Sequence, residues 1–354
     1  MDFMLKRIFY LTVFLLLYLF PSCNHTKDCK TYFSKFPLNF NLEGSLYKLK
    51  IPITGCLMYN ADSLLILSSI RGSDQQIHIY NLKSFDFIAS NGYLGRGPGE
   101  ISTVAFTCFK NNCLYYEDAA KHQLLVFEID SIIKNPNYRP QKVIEMPEVA
   151  VLLFFDYYSD SLFSFISNKE KTLISFFKIN GQIVDSLDIT DNVSPYPTEE
   201  LSFESRNYMA SFLYTINDSL KRIAVSYSTS DVICLLDLDG NCIKQLYGPG
   251  NTIQVPDYKN TKQIMTNTLI KSDNDFIYCL YRNKPLIDEK TNLPVYANKI
   301  NVYNWSGNPV AQLNFNHPVQ SFTVDRINNK IITYAPDMDS FMAYNYPIEI
   351  KKFK

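Results

Sequence analysis

The side chains from which a reactive site would have to be built are few and scattered. The four histidines, His25, His78, His122 and His317, lie far apart, and no His-x-x-x-His or Cys-x-x-Cys spacing sets two metal ligands side by side. Asp185, Asp188 and Asp191 form an acidic run, but the calcium-loop pattern with its central glycine is missing, and a solvated loop accounts for them. Hydrolysis of a sugar bond needs two carboxylates flanking it. Asp62, Asp118, Asp160, Asp218 and Asp275 all fall in or near polar turns, where side-chain-to-backbone hydrogen bonding already explains an aspartate. No Gly-x-Ser-x-Gly nucleophile elbow occurs. The expectation is a protein that binds rather than catalyses, with no metal and no cofactor.

Four side chains stand out as binding candidates. Arg71 (Ser69-Ile70-Arg71-Gly72) and Arg282 (Tyr281-Arg282-Asn283) each follow an apolar run and leave it near aromatic neighbours, a combination suited to a glycan or peptide; surface charge is the plain alternative. Arg96 and Glu100 flank the turn Gly95-Arg96-Gly97-Pro98-Gly99-Glu100 and face either a channel or solvent, or simply pair with each other. That turn lacks the Lys-Ser/Thr of a phosphate-binding loop and opens no helix, so its amides do not converge on a phosphate; a structural junction is the favoured reading.

The N-terminus carries an export signal. Lys6 and Arg7 precede an apolar run, Ile8 to Phe20, that is too short to span a bilayer of about 20 helical residues. It ends in Phe20-Pro21-Ser22-Cys23, which resembles a lipobox. The resemblance implies removal of residues 1–22 and acylation of Cys23, with 23–37 a lipidated tether and 38–354 the folded domain. An ordinary cleavable signal, with Cys23 an incidental thiol, is the alternative. The chain is expected in the cell envelope, held by lipid to the outer membrane.

Removal of the leader takes away Asp2, Lys6 and Arg7, so 34 basic and 35 acidic side chains become 32 and 34. That balance gives no basic footprint for nucleic acid. Apart from Cys23, seven of the eight cysteines remain, an odd number. A two-residue turn at Lys110-Asn111 would set Cys108 opposite Cys113, where close Cα approach suits a disulfide; two free thiols in the hairpin is an equal alternative.

The elements that must position these residues are strands. Tyr and Phe number 25 each, and a polar turn followed by a β-rich run recurs six times. Marked by Leu64, Leu114, Leu162, Ile223, Phe276 and Ile331, the repeats are 50, 48, 61, 53 and 55 residues apart. A second apolar run follows each marker, as in Ile77–Leu82, Leu125–Asp130 and Val232–Asp237, and three of these enter Asn180-Gly181, Asp239-Gly240 and Ser306-Gly307 turns that suit hairpins. Four antiparallel strands per unit, repeated around an axis, predict an all-β, six-bladed β-propeller after a lipoprotein signal peptide. A pair of β-sandwiches or an irregular solenoid is the alternative. Leu38–Ile53 is predicted to join the last blade beside Ile348-Glu349-Ile350 and close the ring, and 284–297 and 188–206 to be loops.

At Tyr93-Leu94-Gly95-Arg96-Gly97-Pro98-Gly99-Glu100-Ile101 the sequence resembles the blade-joining turn of TolB-like and NHL-repeat-like six-bladed propellers found in bacterial lipoproteins, and Tyr247-Gly248-Pro249-Gly250 is a shortened echo of it. The resemblance implies the same fold, a host of many functions. The expectation is therefore a monomeric, envelope-anchored, non-catalytic binding or scaffold protein that presents one propeller face to a glycan, a peptide or a protein partner. A carbohydrate-active hydrolase or lyase on the same fold is the alternative.

Overall fold

The structure, a computed structural model, describes residues 29–51, 53–71, 73–147, 154–159, 162–167, 173–188, 194–196, 212–250, 253–257, 260 and 262–354. Cys23, the leader before it and most of the loop expected over 188–206 lie outside the described residues.

Three N-terminal strands, β1 (Lys30–Tyr32), β2 (Leu38–Leu42) and β3 (Ser45–Lys48), precede six sheets. Blade 1 holds β4 (Thr54–Ala61), β5 (Leu64–Arg71), β6 (Gln75–Asn81) and β7 (Phe87–Tyr93). Blade 2 holds β8 (Val104–Lys110), β9 (Cys113–Asp118), β10 (Gln123–Glu128) and β11 (Val143–Glu145), with the short helix α1 (Ile129–Lys134) inserted before its last strand. Blade 3 comprises β12 (Phe155–Ser159), β13 (Leu162–Ser167), β14 (Leu173–Lys178) and β15 (Ile183–Asp188). Blade 4 comprises β16 (Phe212–Asn217), β17 (Arg222–Tyr227), β18 (Val232–Asp237) and β19 (Cys242–Tyr247). Blade 5 is β20 (Met265–Ser272), β21 (Phe276–Lys284), β22 (Ala297–Asn304) and β23 (Pro309–Val319), and blade 6 is β24 (Ser321–Asp325), β25 (Lys330–Ala335) and β26 (Ser340–Asn345) with β3 as its fourth strand. All six marker residues fall on the second strand of their blade, and the Gly turns at 181, 240 and 307 join third strands to fourth with φ of +77°, +82° and +71°.

The apolar runs are nearly continuous in the second and third strands, which are buried on both faces, whereas outer strands such as β15 stay largely exposed. Successive residues point to opposite sides of a blade. Thus Leu114 and Tyr116 of β9 pack toward blade 1, whereas Tyr115 between them packs toward blade 3. Likewise Ile223 and Val225 of β17 meet blade 3, and Ala224 meets blade 5. Every blade-to-blade seam holds one such apolar cluster, built from large side chains such as Phe163, Phe165, Tyr80 and Tyr344. Full burial of a side chain of this size contributes about 1.5–3 kcal/mol, so six seams hold the ring together where a single core of this length would not grow.

Closure goes further than expected. β3 pairs antiparallel with β26, as Ser45↔Ala343 and Lys48↔Ser340, and completes the last blade. Before that, β1 runs parallel to β19 on the rim of blade 4, and β2 runs parallel to β23 on the rim of blade 5. The N-terminal segment therefore covers three successive outer edges, where unpaired N–H and C=O groups would otherwise face solvent, and gives two blades a fifth strand. The packed chain begins by residue 30, within the segment expected to be a tether. The expected partner strand at Ile348–Ile350 is instead part of a 3₁₀ turn, Ile348–Phe353; Pro347, just before it, has no N–H for a ladder.

Candidate functional site

The first strand of every blade lines the axis. Tyr59 and Asn60 of β4, Thr107 and Phe109 of β8, Asp156 of β12, Thr215 of β16, Lys271 of β20 and Thr323 of β24 surround one cavity of about 240 Å³. Hydroxyl and amide groups link the neighbouring strands there: Tyr59 Oη to Thr107 Oγ1 at 3.0 Å, Thr215 Oγ1 to Ser272 Oγ at 2.7 Å, and Thr323 to Asn60. Ser272 also borders a wider opening of about 400 Å³ lined by Lys110, Asn111, Tyr157, Tyr158, Asp218 and Asp273. These residues lie at or beside the turns between first and second strands, so this opening is the mouth of the channel on that face.

Among the described residues, two charges sit inside. Lys271 donates its ammonium to the Met58 carbonyl and lies over the Tyr59 ring, 4.7 Å from its centroid. Burial lowers its pKa to about 7 against the opposing pull of Cys56 and Asp156. Burial pushes Asp156 the other way, up to about 6, although the Tyr157 amide, Lys110 and Lys271 favour its ionised form. The two groups respond to desolvation with opposite sign, as a buried amine and a buried carboxyl must. Among the described residues, no group of three or more His, Cys, Asp or Glu side chains is placed to hold a metal ion.

The sequence candidates lie elsewhere. Arg71 ends β5 and Arg282 sits near the end of β21, both at the face opposite the mouth, as strand direction requires. The Arg71 side chain is outside the described residues. Arg282 is half-buried; its Nε and Nη1 are shielded from solvent with no hydrogen-bond partner, and burial lowers its proton affinity. The Gly-rich turn joins β7 to β8 on this same face. Its Glu100 Oε2 accepts from the Gly97 amide at 3.0 Å, and a Cβ on Gly95 or Gly97 would meet that carboxylate. Glu100 Oε1 lies 3.8 Å from Arg139, and its carbonyl accepts from Lys121 at 2.7 Å. Glu100 thus braces its own turn, while Arg96 is exposed. The echo at Tyr247–Gly250 repeats the device with a partner from another loop, since Asp231 accepts from the Gly250 amide at 3.0 Å.

The hairpin disulfide is corrected. The turn uses Asn111 and Asn112, both with positive φ, so Lys110 stands opposite Cys113 and Cys108 opposite Tyr115. Cys108 faces the seam with blade 3, and both thiols are free. Lys271 and Asp156 were not singled out from sequence. The signal available was a charge inside an apolar run just before a marker turn, as in Leu269-Ile270-Lys271-Ser272.

The TolB-like 6-blade propeller-like family matches residues 34–327. The chain belongs to this family. The six blades agree with that assignment, and the TolB-like resemblance read from the Gly-Pro-Gly turn is thereby established. Among solved structures, the chain is similar to a Bacteroides fragilis NCTC 9343 protein named for its inferred export, at 11% identity and TM-score 0.55 over 89% of this chain and 99% of that one. It is also similar to a member of the DUF4221 family from Bacteroides vulgatus ATCC 8482, at 10% identity and TM-score 0.50 over 86% and 98%. At these identities the likeness concerns fold alone. No curated protein matches the chain. Among the described residues, no helix is long and apolar enough to cross a membrane.

Proposed function

We propose that this TolB-like propeller is an envelope-anchored, non-catalytic binding protein, acylated at Cys23, which takes the end of a peptide or glycan into its axial channel. The observation that carries the reading is the channel itself: a cavity walled by hydroxyl, amide and aromatic side chains, open through a polar mouth, with Lys271 the one cation among the described residues that line the inner cavity. A few fixed polar groups among aromatic walls suit recognition. Lys271 has a backbone carbonyl as its hydrogen-bond partner, which leaves its charge available to an acidic group of a ligand.

A second reading, a carbohydrate-active hydrolase or lyase, draws on Asp156, Asp218 and Asp273, which border cavity and mouth. Two of these are already engaged. Asp273 bonds Arg326 at 2.9 Å and caps its own turn, and Asp218 bonds Lys221. Asp156 alone is left as a candidate acid, and the binding reading is preferred for that reason.

A thermal-shift screen of residues 24–354 against acidic peptides, glycans and divalent metals tests both. A ligand at 100 times its Kd adds about 2.7 kcal/mol, which moves the melting temperature by degrees. The reading expects a shift from an acidic ligand that Lys271→Met abolishes. A shift accompanied by product release would replace it with the hydrolase, and a hit indifferent to Lys271 would remove the channel as the site.

A further inference from the structure

The Sγ atoms of Cys29 and Cys242 lie 2.6 Å apart, inside the contact distance of two separate thiols. The approach is built by the backbone. Cys29 directly precedes β1, whose register sets Lys30 beside Gln245 and Tyr32 beside Tyr247. The Gln245 amide donates to the Cys29 carbonyl at 2.8 Å, and the Tyr32 and Tyr247 rings stack at 4.6 Å. Both cysteines are partly exposed, whereas Cys56, Cys108, Cys234 and Cys279 are buried in the seams.

We propose that Cys29 and Cys242 form a disulfide in the exported protein, a covalent clamp between the N-terminal strand and the rim of blade 4. Each thiol gives up its hydrogen and one S–S bond forms. The two electrons and two protons pass to the disulfide of a thiol oxidoreductase or of oxidised glutathione, which is cleaved to two thiols. An oxidising compartment supplies such acceptors, so the clamp requires export but neither the channel ligand nor its chemistry.

The clamp has a mechanical consequence. Only Asn24, His25, Thr26, Lys27 and Asp28 separate Cys23 from Cys29. Fully extended, that stretch reaches ~20 Å. With Cys23 acylated, the clamp keeps the rim of blade 4 within that distance of the bilayer, and force on the anchor is borne by blade 4 rather than by the three-residue ladder of β1.

The test uses the full chain equilibrated in a buffer of reduced and oxidised glutathione, alkylated under denaturing conditions without further reduction, and digested. Cys234 and Cys242 share one tryptic peptide, so a second protease that cuts at aspartates is needed to separate them. The expected result is the Cys29 peptide joined to the Cys242 peptide, lighter by two hydrogens than the sum of the free pair and separated by reductant. In Cys29→Ser, Cys242 then becomes fully alkylated. Alkylation of both Cys29 and Cys242 in the unmodified chain, or a bond from Cys29 to another cysteine, overturns the proposal.

Discussion

Lys271 of blade 5 and Asp156 of blade 3 face one axial cavity from opposite sides of blade 4, with the Lys271 ammonium bonded to the Met58 carbonyl rather than to the carboxylate. The amine therefore carries a desolvation cost that no direct ion pair offsets. Its folded-state pKa is lowered from 10.5 to about 7. A lowered pKa makes the folded state bind fewer protons than the unfolded chain between those values, so stability falls as pH drops from about 10.5 through 7 and the full cost stands below 7. Lys271→Met is expected to be more stable than the parent at pH 6, by about 1–4 kcal/mol, as for other buried charges replaced by an apolar isostere. The gain should shrink as pH rises toward 10. Urea melts at pH 6 and pH 9.5 check it; an equal difference at both would show that the amine is solvated.

The seam between blades 5 and 6 is fastened by Arg326. Its Nη1 lies 2.9 Å from Asp273 and its Nη2 3.2 Å from Asp275, and its guanidinium packs 5.1 Å from the ring centres of Phe276 and Tyr346. Arg326→Ala leaves Asp273 without its cation and Asp275 with Lys354 alone, at 2.8 Å, and is expected to cost about 1.5–3 kcal/mol, the range for hydrogen bonds to charged groups. Arg326→Lys should recover only part, because an ammonium cannot span both carboxylates as a planar fork does. Denaturant unfolding of the two variants decides: equal stability to the parent would mean the pairs are screened by solvent.

How much of this was legible in the sequence depends on whether the cause was local. The second strands were, because a polar turn beside an apolar run is a local pattern, and all six markers sit where the repeat put them. The Cys108–Cys113 pairing failed by one residue of turn: Asn111 and Asn112 both tolerate positive φ, and the hairpin used them in place of Lys110-Asn111. A one-residue shift in a hairpin changes every partner. The rim pairings of β1 and β2 bring together residues more than two hundred positions apart, and nothing in either strand names the other. Lys271 and Asp156 were hidden for a different reason. Their meeting depends on which strand turns inward at the axis, a property of the closed ring and not of either segment.

The Gly-rich turn between blades 1 and 2 separates a structural residue from an exposed one. Glu100 accepts from Gly97 and lies beside Arg139, whereas Arg96 is exposed. Glu100→Ala should cost about 1.5–3 kcal/mol, the range for a hydrogen bond to a charged group. Arg96→Ala should stay within about 0.5 kcal/mol, as surface substitutions do. If the two variants melted together, the turn would not be braced by Glu100 and its amides would be open to some other acceptor.

Ring closure can be tested at Gly44, between β2 and β3. A Cβ there would lie 2.7 Å from the Tyr344 ring, which is fully buried against Phe315 and accepts no easy displacement. Gly44→Ala must therefore move either the ring or the N-terminal segment, and overpacking of this kind costs about 1–3 kcal/mol. The strain falls on the pairing of β3 with β26, the ladder by which the N-terminal segment completes the last blade. Hydrogen exchange should quicken at Ser45–Lys48 and Ser340–Ala343 while β16–β18 of blade 4 keep their protection, since local opening follows the cooperative unit that is strained. Uniform acceleration around the ring would show instead that the six blades open as one unit and that the N-terminal strand does not close them independently.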